Sequence, residues 1–294
     1  MKNYSIIIPH KNCLELLIRC LNSIPNRDDI EVIVVDDNSN ISNFENIIRS
    51  HCQLSGLKIL CLKETKFAGG ARNYGLKHAI GKWLVFADSD DFFTDDAFDI
   101  MDDYLDTNAD IVYFAHKAVF SDNLQPTQRL GERIKYINEF IEAHTVKSEN
   151  FLKYLNHSPT SKIIRKDMVS KYNLWFDEVP ASNDAYFSVT TGYYAKSVLA
   201  DKRAVYVATV RRGSITQTRN RVNDFSRYRT DVKLYNFYRE HGLENMYPFV
   251  TMWIINSLRH YGFKEFVKYL KLARDNKINI FLGITRRFSK RYKY

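Results

Sequence analysis

The chain has 294 residues, of which 45% are apolar and 26% charged, as is usual for a globular protein. Of its net charge of +9, +8 lies between Lys264 and the C-terminus, where there are ten Lys or Arg and two acidic residues. The remaining +1 excludes nucleic acid as a default partner of the main body, and no apolar run is long enough to span a membrane.

Short runs rich in Ile, Val and Leu alternate with helical patterns in the first part of the chain. Such continuous runs are typical of strands buried on both faces of a parallel sheet. The predicted strands are Tyr4–Ile8, Glu31–Val35, Leu57–Leu62, Trp83–Ala87 and Asp110–Ala115. The predicted helices are Leu14–Ile24, Ala71–Ile80 and Thr94–Leu105. This succession predicts an α/β fold, with a mostly parallel central sheet and helices on both of its faces.

The second half of the chain has weaker patterns. Residues 121–157 are polar and charged, and we predict a partly helical connecting region there. Beyond Phe225, apolar and aromatic residues recur at helical spacing, which predicts a helical C-terminal extension. The final segment, Phe281–Tyr294, is basic and amphipathic and has no acidic residue. It suits either an anionic membrane surface or packing on its own domain with a solvated basic face.

The cysteines and the N-terminus indicate a cytoplasmic protein. The four cysteines lack metal-type spacing and lie in apolar patterns, so we expect reduced core thiols; they are Cys13, Cys20, Cys52 and Cys61. The N-terminal residues enter a strand at once, without the pattern of a signal peptide. We therefore expect a cytoplasmic location, with the basic tail as a candidate for peripheral binding at the inner membrane face.

Carboxylates follow two of the predicted strands. Asp36 and Asp37 follow the second strand, and Asp88-Ser89-Asp90-Asp91 follows the fourth. Crowded carboxylates at the end of a buried strand are costly, and a divalent cation that also binds phosphate oxygens would compensate for them. Because the carboxyl ends of parallel strands share one edge, we expect both groups in one crevice. The alternatives are a solvated turn for Asp88–Asp91, and a helix cap or Asx-turn for Asp36 and Asp37.

Three separated motifs together resemble those of the family 2 glycosyltransferases, which have the GT-A fold. The motifs are Ser5–Asn12, Val34–Ser39, and a central block of Gly69–Leu76, Gly81–Trp83 and Asp88–Asp91. Their order and spacing match over roughly the first hundred residues. We accordingly predict a GT-A domain over residues 1–224, with a nucleotide-sugar half (1–115) and an acceptor half (116–224). A helical basic region would follow over residues 225–294.

The resemblance implies roles on the nucleotide side of the site. Pro9 would shape the loop beside the nucleotide. Asp36 or Asp37 would contact the base of a nucleoside diphosphate sugar, since a carboxylate accepts hydrogen bonds from an imide N–H. Arg72 would contact the base or its phosphates, with a cation on a surface helix as the alternative.

The resemblance also implies a metal site at the acidic cluster. Asp88 would approach both the ribose and the metal, and Asp90 would bind the metal, for which Mn²⁺ or Mg²⁺ is expected. The cation would offset the charge of the diphosphate. Asp91 receives no role.

A weaker resemblance extends into the second half. Ser161–Lys166 is similar to the family's Asn-Lys-x-x-Arg-Arg segment. Trp175–Glu178 followed by Asn183–Phe187 resembles the region that ends in a Glu-Asp pair, whose Asp is the general base. This points to Asp184, although Asn183 stands where Glu is usual.

A late segment is similar to the one that closes over the donor phosphates in this family. It contains Tyr206 and then residues 211–216. Arg212 and Ser214 would bind oxygens of the diphosphate. The alternative is an ordinary polar loop.

These roles predict an inverting, metal-dependent glycosyltransferase. It would transfer a sugar from a nucleoside diphosphate sugar, with a UDP-sugar expected first, to a saccharide or lipid-linked saccharide in surface polysaccharide synthesis. Asp184 would take the proton of the acceptor hydroxyl as that group attacks the anomeric carbon.

Two other functions stay open. A sugar nucleotidyltransferase would normally carry a Gly-rich loop after its first strand, and residues 9–12 contain no glycine. A non-catalytic carbohydrate-binding protein with a degenerate site is disfavoured by the intact carboxylates, which are Asp36, Asp37, Asp88, Asp90 and Asp184.

Overall fold

The computed structural model describes residues 2–127, 131–211, 219–248 and 250–281. The chain divides into two compact units, of which the first comprises Met1–Val179 and Asn183–Ser214. The second comprises Pro180–Ser182 and Ile215–Tyr294. The domain limits that we drew at residues 115 and 224 stay predictions.

The first unit is built around a mixed sheet, which has eight strands in the described part of the chain. The strands are β1 (Tyr4–His10), β2 (Ile30–Asp36), β3 (Leu57–Cys61), β4 (Trp83–Phe86), β5 (Phe92–Phe93), β6 (Ile111–Phe120), β7 (Lys162–Arg165) and β8 (Val198–Val210). Their order is β3-β2-β1-β4-β7-β6-β8-β5. Strands β1 to β4 form one parallel block, as do β6 and β8, whereas β7 runs antiparallel to β4 and β6. The five predicted strands are all present, and the sheet is mostly parallel as expected.

Helices pack on both faces of this sheet. They are α1 (Leu14–Asn22), α2 (Phe44–His51), α3 (Phe67–His78), α4 (Ala97–Asp102), α5 (Gly131–Ala143), α6 (Val146–Tyr154), α7 (Lys166–Lys171) and α8 (Ala185–Tyr194). One buried cluster includes Leu17 and Phe98, and a second on the other side includes Ala71 and Phe187. The two clusters confirm the prediction of a sheet covered on both faces.

The region 121–157 is more than the connection that we predicted. Helices α5 and α6 bury Ile137, Phe140 and Leu152 in the second cluster. The start of α6 is fixed by a capping box in which Thr145 and Ser148 exchange side-chain and backbone hydrogen bonds. The sequence carried a signal for this packing, since Ile134, Ile137, Phe140 and Ile141 recur at helical spacing in α5 although charged residues separate them.

Helix α3 begins at Phe67, four residues before the predicted start at Ala71. The error arises because Gly69 and Gly70 are poor helix formers, each costing about 1 kcal/mol relative to Ala. A Cβ atom at Gly69 would collide with the carbonyl oxygen of Asp177. The glycine therefore lets the helix approach the segment that leads to Asp184.

The second unit is helical, as the sequence predicts. It contains α9 (Arg221–Glu240), α10 (Val250–Tyr261) and α11 (Phe263–Asp275). Tyr228 on α9 stacks on Tyr269 of α11 with 4.6 Å between ring centroids, and its hydroxyl donates to the Tyr269 carbonyl at 2.9 Å. None of the described helices is both long and apolar enough to cross a bilayer. Nearly all of the predicted basic tail, residues 282–294, lies outside the described residues.

The cysteines are free thiols, but they are not all core residues. Cys20 and Cys52 are buried as expected. Cys61 was wrongly placed in the core, because it ends β3 at the edge of the sheet and is exposed. Cys13 is partly exposed just before α1.

Candidate functional site

The ends of β1 and β2 bring His10 and Asp36 together. The two residues are partners in the parallel register, and His10 Nδ1 donates to Asp36 Oδ1 at 2.8 Å. Asp36 Oδ2 accepts the Ser39 backbone N–H at 2.8 Å, and Oδ1 also accepts the Ser39 hydroxyl. Burial raises the pKa of Asp36, but the bonds from His10 and Ser39 outweigh it and the net pKa is lowered. Asp36 thus bonds the backbone three residues on, which is the spacing of a cap rather than of an Asx-turn, although no helix begins there among the described residues.

Asp37 connects the end of β2 to the start of α3. Its Oδ1 accepts the backbone N–H of Lys66 at 2.6 Å, whereas its Oδ2 has, among the described residues, only a 3.4 Å contact with Lys11 Nζ. Asp37 therefore keeps more acceptor capacity than Asp36. Pro9 lies inside β1, opposite Val35, rather than in the following loop.

The acidic cluster forms the loop between β4 and β5. Asp88 donates its backbone N–H to the Tyr206 hydroxyl at 2.9 Å, and 42% of its side-chain surface is exposed. The backbone carbonyl of Asp90 accepts from Arg19 Nη2 at 2.6 Å and from the Thr209 hydroxyl at 2.8 Å. Side chains from α1 and β8 thus hold the loop, so the solvated-turn alternative does not describe it.

Asp91, which received no role from the sequence, is a buried anchor of this loop. Its Oδ1 accepts the backbone N–H of Thr209 at 2.6 Å, and its carboxyl group also hydrogen-bonds Tyr206. Burial raises its pKa well above the usual range, and the charges of Asp88 and Asp90 act in the same direction. Asp91 therefore fixes the loop on β8, and Asp88 and Asp90 are the partly exposed residues of the cluster.

Arg72 lies on α3 and is only 4% exposed, so it is not a surface cation. One terminal nitrogen, Nη2, forms an ion pair with Asp88. The other, Nη1, donates to Asn183 Oδ1 at 2.8 Å, and the guanidinium lies 5.3 Å from the centre of the Phe176 ring. Its Nε is buried and has no hydrogen-bond partner in the part of the chain that the structure describes. Arg72 thus joins the acidic loop to the segment that precedes Asp184.

That segment is held in place by the residue next to Arg72. Asn73 donates from Nδ2 to the Phe176 carbonyl at 3.0 Å and accepts the Phe176 N–H at 2.8 Å. Asp184 then precedes α8, and its carboxylate caps no backbone N–H of that helix. This leaves the partly exposed carboxylate available for other chemistry.

A buried amine near Asp184 received no role from the sequence. Lys162 is 2% exposed, donates to the Asn156 carbonyl at 3.3 Å and lies 4.7 Å above the Tyr113 ring. Burial lowers its pKa to about 7, and the charge of Asp184 opposes this change. The sequence feature that could have indicated a buried lysine is its position at the start of a strand, directly before the apolar residues Ile163 and Ile164.

Asp88 and Asp90 supply too few donor atoms to hold a metal ion by themselves, so a bound diphosphate would have to supply further oxygen ligands. Among the described residues, no group of three or more His, Cys, Asp or Glu side chains could hold a cation. Asp88 and Asp90 would supply two oxygen donors, and a diphosphate could complete the coordination of a hard cation. Arg212 and Ser214, the predicted phosphate-binding pair, lie outside the described residues.

The mixed sheet and the acidic loop at the end of β4 define a GT-A domain. The profile of "Glycosyl transferase family 2" matches residues 5–172, which is more than half of the chain. The chain therefore belongs to the family 2 glycosyltransferases.

Known proteins agree with this assignment. The poly(ribitol-phosphate) beta-N-acetylglucosaminyltransferase TarS of Staphylococcus aureus is 28% identical over 221 residues, which are 72% of this chain and 36% of TarS. The Escherichia coli UDP-Glc:alpha-D-GlcNAc-diphosphoundecaprenol beta-1,3-glucosyltransferase WfaP is 29% identical over 153 residues, covering 47% of this chain and 58% of WfaP. The chain thus spans about a third of the length of TarS and over half that of WfaP.

A solved structure shares the fold. The crystal structure of S. aureus TarS 1–349 in complex with UDP-GlcNAc superposes with a TM-score of 0.62 at 20% identity. The superposition covers 99% of this chain and 77% of that one.

Proposed function

We propose that this chain transfers a sugar from a nucleoside diphosphate sugar to a hydroxyl group and inverts the anomeric centre. The observation that carries the proposal is the position of Arg72, which contacts both the Asp88 loop and Asn183, the neighbour of Asp184. The buried guanidinium of Arg72 would thus position both the loop that recognises the donor and the segment that carries the general base. The named relatives favour a UDP-sugar as donor.

The donor would bind along the ends of β1, β2 and β4. Asp37 would accept from the base, because its Oδ2 has only a long contact, and Asp88 would face the ribose. Asp88 and Asp90 would hold Mn²⁺ or Mg²⁺, which when bound stabilises the charge of the departing diphosphate. The guanidinium of Arg72 orients Asp88 for this role.

Asp184 would act as the general base. Its carboxylate is partly exposed and makes no cap on α8, so it is free to accept the proton of the acceptor hydroxyl. A single displacement inverts the anomeric centre without a covalent intermediate, so no second catalytic carboxylate is needed.

The acceptor would be a saccharide or lipid-linked saccharide of a surface polymer. This proposal rests on the relatives TarS and WfaP, whose names give a poly(ribitol phosphate) and a diphosphoundecaprenol-linked sugar as acceptors. We further propose that the basic tail holds the protein at an anionic membrane surface, where a lipid-linked acceptor would be found.

A thermal-shift panel of nucleotide sugars with Mn²⁺, followed by product analysis, tests the function. We expect one UDP-sugar to raise the melting temperature and to release UDP slowly in the presence of the protein. Asp184→Asn should keep the thermal shift but lose transfer by at least about a hundredfold. Asp167→Asn, an exposed change on α7, is the control. Release of pyrophosphate would instead indicate a nucleotidyltransferase, and binding without any turnover a carbohydrate-binding protein.

A further inference from the structure

Cys13, His10 and Asp36 form a thiol–imidazole–carboxylate cluster at the end of β1. His10 is 2% exposed and lies between the other two, with its Nδ1 2.8 Å from Asp36 Oδ1 and its Nε2 3.1 Å from the Cys13 backbone nitrogen. Its ring stacks on Phe44, with 4.7 Å between centroids and 20° between planes. The imidazole is therefore fixed in position and in orientation.

The hydrogen bonds also fix the proton positions on His10. A carboxylate can only accept, so Nδ1 carries a proton and Nε2 faces Cys13. In the thiol state Nε2 accepts the Cys13 backbone N–H. In a thiolate state a protonated Nε2 would donate to the sulfur instead, and Asp36 would stabilise the imidazolium.

The Cys13 sulfur has a second polar contact. Its Sγ lies 3.1 Å from the hydroxyl of Ser89, the residue between Asp88 and Asp90. Burial raises the pKa of this thiol, but hydrogen bonds from His10 and Ser89 outweigh it and the net pKa is lowered. At Cys61 the pKa is raised, by burial and by the charges of Asp36 and Glu45.

We propose that Cys13 is a nucleophilic thiol that is modified by soft electrophiles, and that its adduct blocks the donor site. With iodoacetamide, the thiol proton passes to His10 Nε2, the sulfur lone pair forms a bond to the methylene carbon, and iodide leaves with the electrons of the C–I bond. The adduct would project beside Ser89, where the diphosphate is expected. The blocking of donor binding rests on the proposed function, whereas the reactivity of the thiol does not.

The protein contains its own reference thiol for the test. Cys61 is exposed, whereas Cys13 is only partly exposed, so accessibility alone predicts faster labelling of Cys61. Native protein is treated with iodoacetamide at pH 7, and each cysteine is quantified over time by peptide mass spectrometry. We expect Cys13 to react about tenfold faster than Cys61, and its labelling to begin at a lower pH. Equal or slower labelling of Cys13 would overturn the proposal.

Two variants test whether His10 and Ser89, rather than solvent exposure alone, make Cys13 reactive. His10→Gln keeps a polar side chain but cannot take up the proton, and Ser89→Ala removes the second contact. Each should slow the labelling of Cys13 several-fold and leave Cys61 unchanged, while buried Cys20 and Cys52 stay unlabelled as a check of folding. If Cys13 keeps its full rate in both variants, the cluster does not activate it.

Donor-site blocking is tested by protection and by activity. UDP with Mn²⁺ should protect Cys13 but not Cys61, and labelled wild type should lose UDP release, whereas Cys13→Ser should keep its own untreated rate after treatment. Fast labelling without protection or inactivation would overturn the blocking role and leave the reactive thiol standing. If no nucleotide sugar is bound or turned over before labelling, the proposed function itself has failed.

Discussion

Arg72 Nη1 donates a hydrogen bond to Asn183 Oδ1 at 2.8 Å, although 111 residues separate the two in sequence. The same guanidinium pairs with Asp88 through its other terminal nitrogen. Family 2 sequences usually have Glu where this chain has Asn183, and here the amide oxygen accepts from the arginine. A neutral acceptor at this position leaves Asp88 as the anionic partner of Arg72.

Asn183→Ala should lower kcat/KM for transfer about ten- to a hundredfold, because a hydrogen bond to a charged group is typically worth about 1.5–3 kcal/mol. Asn183→Asp keeps an acceptor for Arg72 and should retain most of the activity. Steady-state kinetics of the two variants is the measurement. Equal losses in both would show that the bond to Arg72 is not what makes Asn183 important.

Asp90→Ala should weaken Mn²⁺-dependent binding of the donor at least about tenfold, because it removes one of the two proposed carboxylate ligands. Isothermal titration calorimetry with and without Mn²⁺ measures the effect. Asp95→Ala is the matched control, since Asp95 is exposed shortly after the loop. A donor affinity that is unchanged in Asp90→Ala would remove Asp90 from the metal site.

Asp231→Asn should stabilise the second unit at neutral pH. Asp231 Oδ2 accepts the Trp253 indole N–H at 2.6 Å, and burial raises the pKa of Asp231 to about 6, although that hydrogen bond opposes the rise. The folded state thus binds the Asp231 proton more tightly than the unfolded state, whose pKa is about 3.9. The contribution of Asp231 to the free energy of unfolding is therefore greatest below about pH 4. It decreases as the pH rises to about 6 and stays low at higher pH.

The asparagine variant should remove this loss. We expect a gain of about 1–2 kcal/mol at pH 7.5, less than the ~3 kcal/mol of the full shift because Asp231 is partly exposed, and no gain at pH 4. Urea unfolding at both pH values is the measurement, with exposed Asp275→Asn as the control. An equal gain at both pH values would mean that the effect is not one of titration.

Gly69→Ala should destabilise the first unit by about 1–3 kcal/mol, because the added methyl group meets the Asp177 backbone carbonyl rather than a movable side chain. It should also reduce transfer by shifting the segment before Asp184. Gly131→Ala is the control, since a Cβ there meets no atom of the described residues within 4 Å. Chemical denaturation of both variants checks this, and a Gly69→Ala protein as stable as Gly131→Ala would contradict it.

The sequence determined the fold class and where the acidic loop lies. Both depend on local patterns, since apolar runs form β1, β2 and β4, and carboxylates at their ends must lie at one edge of a parallel sheet. The same reasoning underestimated α5 and α6: apolar residues recur at helical spacing in α5, but the many charged residues between them led us to expect only a connecting region.

Only the tertiary structure decided what each carboxylate contacts. Asp36, Asp37 and Asp91 are the same residue type in similar local sequence, but they differ in their partners: His10 and Ser39, Lys66, and Thr209. The burial of Arg72 and its bond to Asn183 likewise depend on segments far apart in the chain. Hydrogen bonds between distant segments leave no periodic trace in the sequence, because they are formed only when the sheet brings those segments together.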